Sequence, residues 1–255
     1  MGREIELQSA DPSREPRELS REALRAALIQ RIPRWYSPWL HLSATTGIGV
    51  AVLALALSNL HSVSLWELLM VPSVFCISNA VEWLAHRYLL HRRTWPMHVL
   101  YDRHTPEHHR VYQVGDMAIR DWRELRLVLI PATGVLGIVL VMVPGALLAA
   151  TLLGSNAGWL FLLTSSGYVV SYELTHLIYH MPKEHRLARL AWVRVMRNHH
   201  ATHHDPSLMR SWNFNVTVPL ADWVLGTWFK AGKASPQPKA DRDARGLSRN
   251  RGSYV

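Results

Sequence analysis

The chain has 255 residues, 49% of them hydrophobic, and a formal net charge of +9 at pH 7 with histidine neutral. Its mean hydropathy is only −0.01, because long apolar runs alternate with separate charged blocks. A single cysteine, Cys76, excludes an internal disulfide and any cysteine-built zinc module.

Residues 1–37 form a charged arm containing Pro12, Pro16 and Pro33, without the apolar stretch of a cleavable secretory signal. Within it Leu19, Leu24, Ala27, Leu28 and Ile32 recur at helical spacing, which predicts an amphipathic helix over 17–31, lying on a membrane surface or solvated. Four apolar runs follow near 39–60, 64–85, 127–152 and 156–179. Each reaches the roughly 20 residues that a spanning helix needs. Pro131 and Pro144 are expected to kink or split the third run, and Cys76, in the second, is expected to be inert packing. The stretch 231–255 reads as a disordered basic tail beside the lipid. The expected fold class is therefore all-α: an integral membrane bundle of about four transmembrane helices, embedded over 38–230, with a cytoplasmic helical cap.

The 28 basic residues fall in the arm, in 86–126 and after 180, with none in the links 61–63 and 153–155. The positive-inside rule then places both termini and the 86–126 loop in the cytoplasm. The basic residues track the span boundaries, which argues against nucleic-acid binding.

Fifteen histidines are the anomaly, eleven of them in three tight groups between 86 and 204. His86 and His91 close the second run. At about 100° per residue they stand about 140° apart, so both can face one centre only if the helix ends or distorts there. Glu82, one turn earlier, is placed to accept the second ring N–H of His86. In His104-Thr-Pro-Glu-His108-His109, Thr105 and Pro106 read as a cap and first turn, so that His108 and His109 open a new helix. Glu173, His176 and His180 share one face of the fourth run's end, with Tyr172 adjacent. His200, His203 and His204 share a face of a later helix, with His199 as a spare that can trade places with His200. Imidazole is a common ligand for Fe, Zn, Cu and Ni, and two metals need about eight to ten ligands. A carboxylate di-iron bundle would need two E-x-x-H helices and two further glutamates. Only Glu173 with His176 fits that pattern.

These boxes resemble the fatty acid hydroxylase/sterol desaturase superfamily of membrane di-iron oxygenases over about Glu82 to Phe229. His86…His91, His104…His108-His109 and His200…His203-His204 look like its three boxes. Tyr172-Glu173…His176…His180 is similar to the extra pair of the fatty acid 2-hydroxylase branch. Residues Asn213 to Thr227, with Asp222, Gly226 and Thr227, resemble its D-x-x-x-G-T signature, although Asn215 stands where the family usually has glycine.

The resemblance implies that His86, His91, His104, His108, His109, His176, His180, His200, His203 and His204 hold two Fe ions, with Zn an alternative in purified protein. It also implies that O2 and an external electron donor, a separate cytochrome b5- or ferredoxin-like protein, support hydroxylation or desaturation of a lipid taken from the bilayer. Glu82, Tyr172, Glu173, His199, Trp212, Asn213 and Asp222 are candidates to support the ligands or touch substrate, and Arg87, Arg103, Arg110 and Arg197 to meet a head group. The alternative is a non-catalytic membrane metal-binding or transport protein. Transport would place ionisable ligands at mid-bilayer, whereas here they gather at the ends of the runs.

Overall fold

The computed structural model describes residues 20–230. The expected tail at 231–255 and the first residues of the arm lie outside it. Ten α-helices, with short 3₁₀ and π turns, build the described part, and no strand occurs among the described residues. The helix α1 (Arg21–Arg31) is capped by Ser20, whose hydroxyl accepts from the Ala23 N–H. Ser37 caps α2 (Pro38–Ser58) in the same way, with Pro38 in the first turn. Then come α3 (Met70–Ala85), α4 (His98–Arg103), α5 (His109–Val111) and α6 (Leu125–Val128). The long α7 (Ala132–Leu153) and α8 (Ser155–Tyr179) form a hairpin, followed by α9 (Ala191–His203) and α10 (Leu220–Val224).

Among the described residues three stretches are long and apolar enough to cross a membrane: Pro38–Ser58, Glu67–Leu90 and Trp122–Leu153. The fourth expected span, α8, has the length at 25 residues but is less apolar. Its place in the bundle accounts for this, because α8 packs against α2, α3 and α7 together. A helix covered by protein on several sides can carry polar residues such as Ser165 and Ser166, both buried. The outward faces of the other helices are apolar instead, and on α7 Val141 and Leu152 are 79% and 70% exposed, the surface that lipid requires. Cys76, expected as packing, lies exposed on α3.

Small residues let the helices approach, as in membrane bundles generally. A Cβ added at Gly158 of α8 would lie 2.7 Å from both the Ala146 carbonyl oxygen and the Ala150 Cβ of α7. One at Gly49 of α2 would collide with Val170 of α8. Pro131 separates α6 from α7, as a residue lacking an N–H should, while Pro144 is accommodated inside α7.

The expected amphipathic helix forms, but it faces protein. In α1, Leu28 joins a core with Val111, Tyr112, Met117, Ile119 and Leu125. Arg25 reaches into that core and pairs with the buried Glu124 at 2.5 and 3.2 Å.

Candidate metal centre

The ends of α3, α8 and α9 meet the α4–α5 segment, and their histidines converge. His86, His91, His104, His109 and His203 form one group, and His108, His176, His180, His200 and His204 a second. Within each group the ligand nitrogens lie within 4.8 Å of one another, and all ten residues are buried.

Local helix geometry makes this possible. The five-residue interval of His86 and His91 is resolved by a π-helical turn over His86–Leu90, a wider coil that brings residue i+5 round to residue i. Their rings stack with centroids 5.1 Å apart. A second π turn over His104–His108 does the same for His104 and His109, whose Nε2 atoms are 3.0 Å apart. This corrects the sequence reading of the second box. His104 to Val111 continues directly from α4, and Thr105 does not cap a new helix. Its hydroxyl instead donates to the Leu90 carbonyl at 2.7 Å and meets His91 Nδ1 at 3.1 Å. Adjacent residues on these turns diverge, so His108 and His109 enter different groups, as do His203 and His204.

The far sides of the rings fix the protonation pattern. His86 Nδ1 bonds the Phe214 carbonyl. His108 bonds Leu127 at 2.9 Å, His180 bonds Met117 at 2.7 Å, His203 bonds Trp212 at 2.8 Å and His204 bonds Tyr112 at 2.6 Å. A carbonyl only accepts, so in each ring Nδ1 carries the proton and Nε2 turns a lone pair inward. The Thr105 hydroxyl has given its proton to Leu90, so His91 donates to it and is fixed likewise. His91 and His203 then oppose lone pair to lone pair at 2.9 Å. In the second group, His180 and His204 both turn lone pairs toward His200 Nε2, at 3.2 and 3.1 Å. His108 and His176 each leave a buried Nε2 with no partner. Hydrogen bonding leaves the His91–His203 pair and the Nε2 atoms of His108 and His176 unsatisfied, whereas cations at the two foci would satisfy them. The residues fit a pair of nitrogen-ligated metals.

Burial also holds the rings neutral, the state that ligates. It pushes His108 down to about 4, and His104, His109, His200, His203 and His204 well below the usual imidazole range.

The supporting residues divide by group. Around the first, Asp222 accepts from the Phe214 and Asn215 N–H groups at 3.0 and 2.8 Å and from the Thr227 hydroxyl at 2.6 Å. It also meets His199 Nε2 at 3.1 Å, so His199 faces away from the metal groups. Asn213, at φ 57°, donates to the His199 carbonyl, and Trp212 offers its carbonyl to His203. Asn215, in place of the family glycine, bonds the Asn79 carbonyl with its side-chain amide at 3.0 Å and accepts from the Asp222 N–H at 3.1 Å.

Glu82 does not touch His86, which corrects the sequence expectation. Its carboxylate accepts from the Val216 and Thr217 N–H groups and from the Thr217 hydroxyl at 2.6 Å. It steadies the strap whose Phe214 carbonyl holds His86.

Around the second group, Glu173 accepts from the Ile130 N–H at 3.2 and 3.4 Å, fixing the segment that offers Leu127 to His108. Tyr172 lies beside His176, ring centroids 5.7 Å apart. Of the arginines, Arg87 lies over Trp83, Tyr88 and Phe214, and Arg103 donates to the Arg126 carbonyl.

Sequence reasoning missed Arg25 and Glu124. The latter also accepts from the Tyr112 hydroxyl at 2.9 Å, so the pair anchors the loop that offers Tyr112 and Met117 to His204 and His180. No local pattern marks one arginine in a charged arm.

No curated protein matches the chain. Its fold is similar to the solved structure of full-length scs7p, of which only the hydroxylase domain is visible, at 20% identity and a TM-score of 0.53. That likeness covers 79% of this chain and 70% of the other. A family model described as fatty acid hydroxylase matches residues 71–227, the stretch that holds all ten clustered histidines. The chain belongs to the fatty acid hydroxylase family.

Proposed function

We propose that this membrane protein is an O2-dependent di-iron oxygenase that hydroxylates the hydrocarbon part of a lipid, near the fatty acid 2-hydroxylase branch. The observation that carries the reading is the pair of buried five-histidine groups, each with inward lone pairs left without a hydrogen-bond donor.

The groups as a whole would hold the ions, one group to each. When bound, iron supplies activation of O2 for attack on an unactivated C–H bond, chemistry outside the range of amino-acid side chains. The chain does the rest. Backbone carbonyls at Phe214, Leu127, Met117, Trp212 and Tyr112 aim the imidazoles. Burial keeps water away and keeps the rings unprotonated. Tyr172, whose ring lies beside that of His176, is the residue we assign to contact with an acyl chain. Loss of a second hydrogen in place of hydroxyl transfer would give desaturation. Zinc competes for the same nitrogens in purified protein. Electrons come from a separate donor of the cytochrome b5 or ferredoxin kind. With α8 as a fourth span, both termini and the histidines face the cytoplasm, the side that the basic residues favour.

The test combines elemental analysis with lipid mass spectrometry. The purified chain should carry about two metals, and iron, O2 and a donor should yield a hydroxylated lipid. Two metals with no change in lipid would favour the non-catalytic binder, and no bound metal would defeat both readings.

A further inference from the structure

Next to the histidine groups, but separate from them, lies a cavity of about 450 Å³ lined by Lys183, Ala188, Arg189, Arg194, Arg197 and Asn198. Its charge is one-sided. Four cationic side chains line it, and the carboxylate felt by Arg197 is that of Glu184. Arg197 differs from the others in being only 8% exposed, and its Nη1 is buried without a hydrogen-bond partner. A buried guanidinium nitrogen with an unused donor is costly unless an acceptor reaches it. Lys183, Arg189, Arg194 and Asn198 are exposed around it, so an incoming anion would meet donors on several sides.

The surface beside the cavity is apolar. Leu187, Leu190, Trp192 and Val195 alternate with these cations along the same segment and are 44%, 54%, 49% and 59% exposed. Basic and bulky apolar residues mixed in this way suit the boundary between head groups and acyl chains. The excess of positive charge favours a phosphate, which carries more charge and more acceptors than a carboxylate.

We propose that this cavity binds the phosphate of a lipid head group, with Arg197 as its buried donor and the Leu187–Val195 surface against the acyl part. Arg197 stands one helical turn before His200, so an occupied site would brace α9 where it delivers its ligands. The inference rests on the chain's membrane character and not on its redox chemistry, so its test needs no turnover.

The full chain, purified in a neutral detergent, is titrated with octyl phosphate, inorganic phosphate and octanol while thermal unfolding is followed. Octyl phosphate should raise the midpoint saturably. Arg197→Gln and the surface double variant Arg189→Gln/Arg194→Gln should each weaken that binding by about tenfold or more, as loss of a charge-assisted hydrogen bond implies. An equal response to inorganic phosphate would show a free-anion site and overturn the lipid assignment. An equal response to octanol, no response to octyl phosphate, or an undiminished response in the double variant would overturn the site. The double variant decides alone if Arg197→Gln does not fold.

Discussion

The two histidine groups share the α4–α5 segment and α9 but differ elsewhere, the first drawing on the end of α3 and the second on the end of α8, and they are braced by different parts of the molecule. The first leans on the segment 212–227, where Asp222 gathers the Phe214 and Asn215 N–H groups, Thr227 and His199 around one carboxylate. The second leans on the 112–130 loop, which is held by an ion pair formed with the N-terminal helix, Arg25 to Glu124. One brace lies just beyond the last histidine box and is local. The other joins residues 99 positions apart. Equal ligand counts can therefore rest on unequal supports, one legible as a motif and one visible only in three dimensions.

The sharpest way to break the comparison uses neighbours on one turn. His203→Ala should empty the first focus and His204→Ala the second, each leaving about one metal per chain and abolishing turnover. Loss of both metals in either variant, measured by elemental analysis, would show one shared site.

Acid should then release metal from both groups. Their histidines are held below the ordinary value of 6.5, so the unfolded chain takes up protons that the native one refuses. Stability of the metal-free protein is expected to be full above about pH 6.5 and to fall as pH drops from there toward about 4, the value of His108. A flat unfolding midpoint across that window would contradict the buried, neutral state.

Arg25→Met leaves Glu124 buried and unpaired, which should cost about 3–5 kcal/mol and loosen the second group first. Arg25→Met/Glu124→Met should recover much of that loss, read from chemical unfolding and metal content together. Asp222→Asn is expected to be milder, about 10–100-fold in metal affinity and confined to the first group. Equal weakening of both metals would erase the distinction between the braces. Smallest of all, Gly158→Ala should cost about 1–3 kcal/mol through crowding against α7, with no preference for either metal.

What was legible in the sequence follows the same division. Apolar runs and histidine spacing are local signals, and they identified the long helices and the ten residues that meet. The awkward interval from His86 to His91 announced a distortion, which is the π turn. The same interval from His104 to His109 went unread because Thr105-Pro106 also makes a good helix start, and the continuing chain overrode that preference. Helical proximity points Glu82 toward His86, but its partners are distant in sequence, Tyr168 on α8 and Asn215 to Thr217 more than 130 residues away. Arg25 gave no sign at all, since in an arm rich in arginine one buried guanidinium reads like the rest. The weaker hydropathy of α8 likewise makes sense only once its three protein neighbours are known.

The divergence of His108 from His109, and of His203 from His204, constrains how this fold can vary. One peptide bond separates a histidine of one group from a histidine of the other, so inserting or deleting a single residue within either turn would misplace both at once. Neither focus could be retuned by such a change while its twin stayed intact. The 112–130 loop, which aims His108, His180 and His204, has little more freedom to lengthen, and these two dipeptides act as fixed rulers for the site.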